Sequence, residues 1–234
     1  MSTLTSALHS SSRVPQRGKL RVRGELTLCV IAVLNSFGVC LMLYSGAGIS
    51  SISSVPYAVS LALPALTLGT WTYLFQTALV AVLMILRRRF VPSYLLSFLV
   101  GFAFGKMMDV HNLWITQLPL TPVLRVVYFA ISFVALTLGI ALSNHCTLPI
   151  IPTDLFPREL ADILGKPYKT VKTLFDLGCL TVTVVLLLLF IHRLTGIGVG
   201  TVFCAIVMGR SIAWAGRQLE RRVTFVSFMA PNGE

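Results

Sequence analysis

The chain has 234 residues, 56% of them hydrophobic and only 12% charged, with a mean hydropathy of +0.85. Soluble domains carry about 25% charged residues, so the composition excludes that class and leaves an integral membrane protein. The net charge of +11 would point a soluble protein toward nucleic acid; here the basic residues lie between apolar runs, where they set membrane topology, and no nucleic-acid partner is expected.

Residues 1–24 form a Ser-rich, then basic arm (Arg13, Arg17, Lys19, Arg21, Arg23) that is expected to be cytoplasmic and disordered. The apolar run after it is about twenty residues long and lacks an A-x-A cleavage site, so it reads as an uncleaved first span rather than a signal peptide. Crossing about 30 Å of hydrocarbon takes about 20 helical residues. Runs of that length fall at 26–45, 68–86, 93–111, 124–143, 171–191 and 195–214. An all-α membrane protein with six transmembrane helices follows. The run at 93–111 is the weakest, because it must include Lys106 and Asp109 to reach full length. Residues 215–234 form a cytoplasmic tail.

Two connections are more than loops. "SGAGISSISSVPYAVSLALPAL" (45–66) and "NHCTLPIIPTDLFPRELADILGKPYK" (144–169) each begin with a polar or Gly/Pro-rich turn. Each continues as a partly apolar helix of about ten residues, too short to span and so re-entrant or interfacial. With the N-terminus inside, every Lys and Arg except Lys106, Arg125, Arg193 and Arg210 falls in a cytoplasmic segment. Both termini are therefore expected in the cytoplasm.

The two connections belong to a duplication. "FGVCLML" (37–43) aligns with "LGIALSN" (138–144), Gly38 on Gly139, and "SSVPYAVSLAL" (53–63) with "DLFPRELADIL" (154–164), Pro56 on Pro157. "TWTYLFQ" (70–76) lies over "TVKTLFD" (170–176), which places Gln76 on Asp176 and Thr72 on Lys172. "FGKMMD" (104–109) lies over "MGRSIA" (208–213), Gly105 on Gly209 and Lys106 on Arg210. Residues 26–111 and 124–213 thus form two membrane repeats, each a span, a short helix and two further spans. Three crossings is an odd number, so the second copy enters from the opposite face and the repeats are inverted. Inverted repeats recur in secondary transporters, with the substrate site at their interface; channels and proteins that transport nothing are also built this way.

Lys172 and Asp176 are one helical turn apart on one face, although an ionised side chain at the bilayer centre costs roughly 2.5–3.5 kcal/mol. A static pair with Lys172 snorkelling to the cytoplasmic surface and a role in binding or proton relay both remain open. Gln76 and Thr72 are the neutral counterparts. Lys106 and Asp109 near the outer interface, and Arg210 near the inner one, complete the substrate-binding or relay candidates, with interfacial anchoring as the competing role. Thr67, Thr70, Thr72 and Gln76 either line a cavity or bond back to helix carbonyls.

The glycines of "GIGVG" (196–200) follow no strand, so they suit close helix packing rather than a nucleotide loop. His145 and Cys146 lack neighbouring ligands for a metal. The cysteines (29, 40, 146, 179, 204) form no C-x-x-C pair and read as small hydrophobes. No nucleophile–base order stands out, so no enzyme, cofactor or metal is expected.

"LTLGTWTYLFQ", "FGKMMD", "VKTLFD" and the closing "TGIGVGTVFCAIVMGR" resemble the bacterial YczE/YitT group of integral membrane proteins over roughly residues 26–214. Gly196, Gly198, Gly200 and Gly209 are the most specific part of the likeness. The resemblance implies a helical protein of the bacterial cytoplasmic membrane. It implies no substrate and no catalytic residue, and the soluble C-terminal domain usual in YitT proteins is not expected here.

The reading is a small transporter or permease for a small polar or anionic solute. Charge within the spans leans cationic, Lys106, Lys172 and Arg210 against Asp109 and Asp176. The alternative is a non-transporting membrane protein that regulates or scaffolds a partner. The expected partners are the lipid bilayer and a small solute; a homo-oligomer remains open.

Overall fold

The computed structural model describes residues 20–88, 92–145 and 151–226. Within them the chain is helical apart from one pair of short strands. The elements run β1 (Leu20–Arg23), α1 (Gly24–Ser45), α2 (Ser51–Ala62), α3 (Leu68–Arg87), α4 (Pro92–Ile115), α5 (Pro122–His145), α6 (Pro152–Leu164), α7 (Tyr168–Leu186), α8 (Val199–Arg222) and β2 (Val223–Val226). A π-helical turn, Leu187–Ile191, continues α7. Of the basic arm, residues 1–19 lie outside the described residues, as do the tail from 227 onward and Cys146.

Local chemistry explains the boundaries. Thr67 caps α3, its hydroxyl accepting from Thr70 N at 3.1 Å, and so satisfies one amide that the first turn leaves over. Pro152 opens α6, where its missing N–H is no loss, and Gly165 closes it at φ +60° in the left-handed region that ends many helices.

Among the described residues four helices are long and apolar enough to cross a membrane: residues 27–45 of α1, α3, residues 122–144 of α5, and α7 with its π-turn. The protein is a membrane protein of helices. The expected third and sixth spans correspond to α4 and α8, which are as long, at 24 residues each, but less apolar. Lys106 and Asp109 lower α4; Arg210, Arg217 and the run from Glu220 to Arg222 lower α8. Large apolar side chains such as Val126, Leu177, Leu188, Leu189 and Ile206 stand exposed, as they would facing lipid chains rather than water.

The most extensive contact is between α1 and α5, and it is reciprocal. A Cβ on Gly38 would meet Leu136 Cγ at 2.7 Å, and one on Gly139 would collide with Asn35 Oδ1. In the sequence alignment Gly38 stands on Gly139, and the same offset sets Asn35 on Leu136. Each helix thus offers a glycine to the residue three positions before the other helix's glycine. The other contacts follow the same rule: α1–α4 is matched by α5–α8, α2–α7 by α6–α3, and α2–α3 by α6–α7. Ser54 of α2 and Thr183 of α7 share a hydrogen bond of 2.7 Å; their counterparts Leu155 and Leu83 sit in one hydrophobic cluster with Leu79, Val80 and Phe156. One pair breaks the rule. Helix α3 packs closely on α4, whereas α7 and α8 share no comparable contact.

The expected span at 195–214 begins only at Val199, because residues 195–198 form a turn that crosses the α1–α2 turn backbone to backbone. Ile49 N donates to Gly196 O at 2.9 Å, Gly200 N to Ala47 O at 2.7 Å, and Thr201 Oγ1 to Ile49 O at 2.9 Å. The glycines of "GIGVG" thus serve close approach, but of two turns rather than two helices. Strands β1 and β2 pair in parallel, Leu20 opposite Val223 and Arg23 opposite Val226, which brings the start of α1 beside the end of α8.

Two alanine substitutions separate crowding from chain stiffness. A Cβ at Gly198 would lie 2.5 Å from the Ala47 carbonyl oxygen, a backbone atom, whereas one at Gly178 would meet nothing within 4 Å. Gly198→Ala should destabilise the purified protein by about 1–3 kcal/mol through overpacking. Gly178→Ala, inside α7, should stabilise it by roughly 0.5–1 kcal/mol. Thermal unfolding in detergent measures both.

Candidate functional site: a cavity where α7 and α8 part

The gap between α7 and α8 is a cavity of about 790 Å³. Helix α7 gives it Lys169, Lys172 and Asp176, and α8 gives it Gly209, Arg210 and Arg217. The first residues of the two short helices, Ser50–Ser53 of α2 and Ile151, Thr153 and Asp154 of α6, complete the polar wall. Asn35, Leu136 and Phe104 line it where α1, α5 and α4 approach one another.

Both short helices begin at this cavity and direct an N-terminus at the same space. The N-cap residue Ser50 makes no side-chain cap bond, because its hydroxyl donates to Ser53 Oγ at 3.0 Å. First-turn amides of α2 are thereby left for whatever occupies the cavity, with the positive end of the helix dipole behind them. The charged side chains of the lining are Lys169, Lys172, Arg210 and Arg217 against Asp154 and Asp176. Among the described residues the cavity is net cationic.

The candidates read from the sequence are brought together only in part. Lys172 Nζ lies 2.7 Å from Asp176 Oδ1, both half-buried in the cavity wall, and Arg210 lines the same cavity. Lys106 does not reach it: it is exposed on α4, 5.9 Å over the Phe102 ring, so it forms no pair with Arg210. Asp109 is a tertiary cap on α3, accepting from Gly69 N at 2.9 Å and from Thr67 Oγ1 at 2.9 Å. Thr72 is buried and bonds back to Leu68 O at 2.8 Å. Gln76 is 1% exposed, with neither amide atom partnered, and stands against Gly101 and Pro152 outside the cavity.

Sequence reading missed Asp154, Asn35, Lys169 and Arg217. For Asp154 the available signal was the alignment with Ser53, since both positions line the cavity. Asp154 lies outside the spanning helices. Burial pushes its carboxyl above the ordinary carboxylate range, against the opposing pull of Lys172 and Arg158, and Asp176 adds to the rise.

The chain belongs to a family of unknown function, DUF6198, whose pattern matches residues 22–217, a stretch that includes all of α1–α7 and most of α8. No curated protein and no solved structure matches it.

The shift of Asp154 has a stability consequence. A folded-state value above the unfolded one favours folding at low pH, and that contribution is lost as pH rises through the raised value. Lowering the pH from about 7.5 to about 5 should therefore raise the midpoint of thermal unfolding in detergent through this group. Asp154→Asn should flatten that rise and leave the protein at least as stable at neutral pH.

Proposed function

We propose that this DUF6198 membrane protein is a small transporter or permease for a small polar anion. In this reading it is built as two inverted three-span repeats and sits in a bacterial cytoplasmic membrane with both termini inside. The observation that carries the proposal is the cavity between α7 and α8, in which basic side chains outnumber carboxylates. A cationic, water-accessible pocket among membrane helices would attract an anion and replace part of its hydration by fixed N–H groups.

Several features support the six-span, inverted arrangement. Helices α4 and α8 would each reach about 36 Å, enough to cross. Their awkward charges have outlets: Asp109 is satisfied by the start of α3, and Arg210 faces the cavity. The paired strands place the start of α1 and the end of α8 side by side, as an even number of crossings requires. Because α7 starts and α8 ends on the side richest in Lys and Arg, the cavity would open to the cytoplasm. Lys172 and Asp176 would then hold each other until an anion competes for the ammonium.

The bonded state of that pair also favours the rival reading, a non-transporting protein in which the pair is only a strut. Breaking one partner of a buried pair leaves an uncompensated charge, while removing both can be nearly neutral. Uptake into proteoliposomes should be measured for small carboxylates, phosphate, sulfate and nitrate with Lys172→Met, Asp176→Asn and the double variant. The double variant should fold with near-normal yield yet lose at least tenfold of the uptake of whichever anion the unaltered protein moves. Full uptake by the double variant would make the pair a strut, and absence of uptake by the unaltered protein across the panel would favour the scaffold.

A further inference from the structure

The α3–α4 interface is the counterpart of the open α7–α8 gap, and it contains what a closed cavity would leave behind. Gln76 and Ser97 are each 1% exposed, and neither amide atom of Gln76 nor Ser97 Oγ has a hydrogen-bond partner among the described residues. An orphaned buried polar group costs about 1–3 kcal/mol, so an all-structural interface would have little reason to keep two together. In the duplication Gln76 corresponds to Asp176, and Ser97, carried along α4 at the offset that sets Gly105 on Gly209, corresponds to Thr201. Both Asp176 and Thr201 line the open cavity.

The contacts that shut this side are equally specific. Gly69 and Gly105 touch so closely that a Cβ on Gly105 would lie 2.5 Å from Gly69 O, and one on Gly69 would strike Gly105 O. Asp109 of α4 then clasps the first turn of α3. Across the pseudo-axis Gly69 becomes Lys169, Asp109 becomes Ala213, and Gly209 has nothing within 4 Å of an added Cβ. One half holds the closed packing and the other the open packing of the same pair of helices. Between the two polar regions stands Phe104 of α4, which lines the open cavity and lies one residue before the Gly69–Gly105 contact.

We infer that the α3–α4–α6 interface is the second mouth of the same anion site, closed in this state. Helix α4 separates from α3 as α8 closes on α7, and Gln76 and Ser97 then become the solute-facing groups. The Asp109 clasp is the latch that this exchange must release. The inference rests on the transporter reading for its solute, but its geometry is testable without transport.

In a background with the native cysteines replaced, Thr201→Cys and Ser97→Cys report the two mouths to a membrane-impermeant thiol reagent. Thr201→Cys should label from one face of the membrane and Ser97→Cys from the opposite face. Adding Asp109→Ala should speed Ser97→Cys labelling at least tenfold and slow Thr201→Cys labelling. General unfolding would instead speed both and overturn the latch. A cross-link between Tyr73→Cys and Phe102→Cys, positions whose rings meet at 5.2 Å, should hold the interface shut, protect Ser97→Cys and abolish uptake of the transported anion. Continued uptake through the cross-linked protein, or a Ser97→Cys that never labels, overturns the second mouth while leaving the transporter standing. Reciprocal labelling without uptake of any anion upholds the exchange and removes the transporter reading.

Discussion

The crossing of α1 and α5 is the contact on which the rest of the molecule is arranged. Gly38 and Gly139 remove the side chains that would hold these helices apart, and each receives a residue of the other helix, Leu136 and Asn35. Apolar driving force between helices is absent in lipid, so close packing of small residues must supply it. Once α1 and α5 are locked by a reciprocal contact, whatever one half packs against the centre the other half repeats. The matched pairs α1–α4 with α5–α8, and α2–α7 with α6–α3, follow from that geometry.

A second constraint is that hydrocarbon tolerates no unpaired backbone. Irregular segments must be buried in protein or open onto water. The two turns around Ala47–Ile49 and Gly196–Thr201 meet the first condition by bonding to each other. The starts of α2 and α6 meet the second, since their first residues border the cavity. Short helices that cannot span are useful here because they bring a helix N-terminus to the interior. The same need explains why Ser54 and Thr183 find each other across α2 and α7, where the other half uses apolar residues and has no polar group to satisfy.

Function, on this reading, resides in a departure from symmetry. The closed pair α3–α4 has two facing glycines and an aspartate that neutralises the positive start of α3. The open pair α7–α8 has Lys169, Gly209 and Ala213 at the same positions. Removing the clasp and adding a cation both oppose closure when the space is empty, and an anion reverses the second effect. Under the proposed function, charge in the gap would couple occupancy to packing, the differential interaction that any ligand-driven shift requires.

Much of this was legible in the residues alone. Long apolar runs showed the class, and the alignment of Pro56 with Pro157 and of Gly38 with Gly139 pointed to positions that the helix contacts later matched in kind. Lys172 and Asp176 stood out because a charge in an apolar run is costly wherever it lies. The fate of Lys106, Asp109 and Gln76 could not be read that way. Whether a polar side chain on a helix meets lipid, a helix end or a cavity depends on rotation against neighbours, which the one-dimensional pattern does not contain. Sequence determined that long apolar helices form; only tertiary packing decided that α3 and α4 close on each other while α7 and α8 part. That choice rests on the close contact of Gly69 with Gly105 and on the Asp109 clasp beside it, which join separate helices and follow from no local preference of the chain.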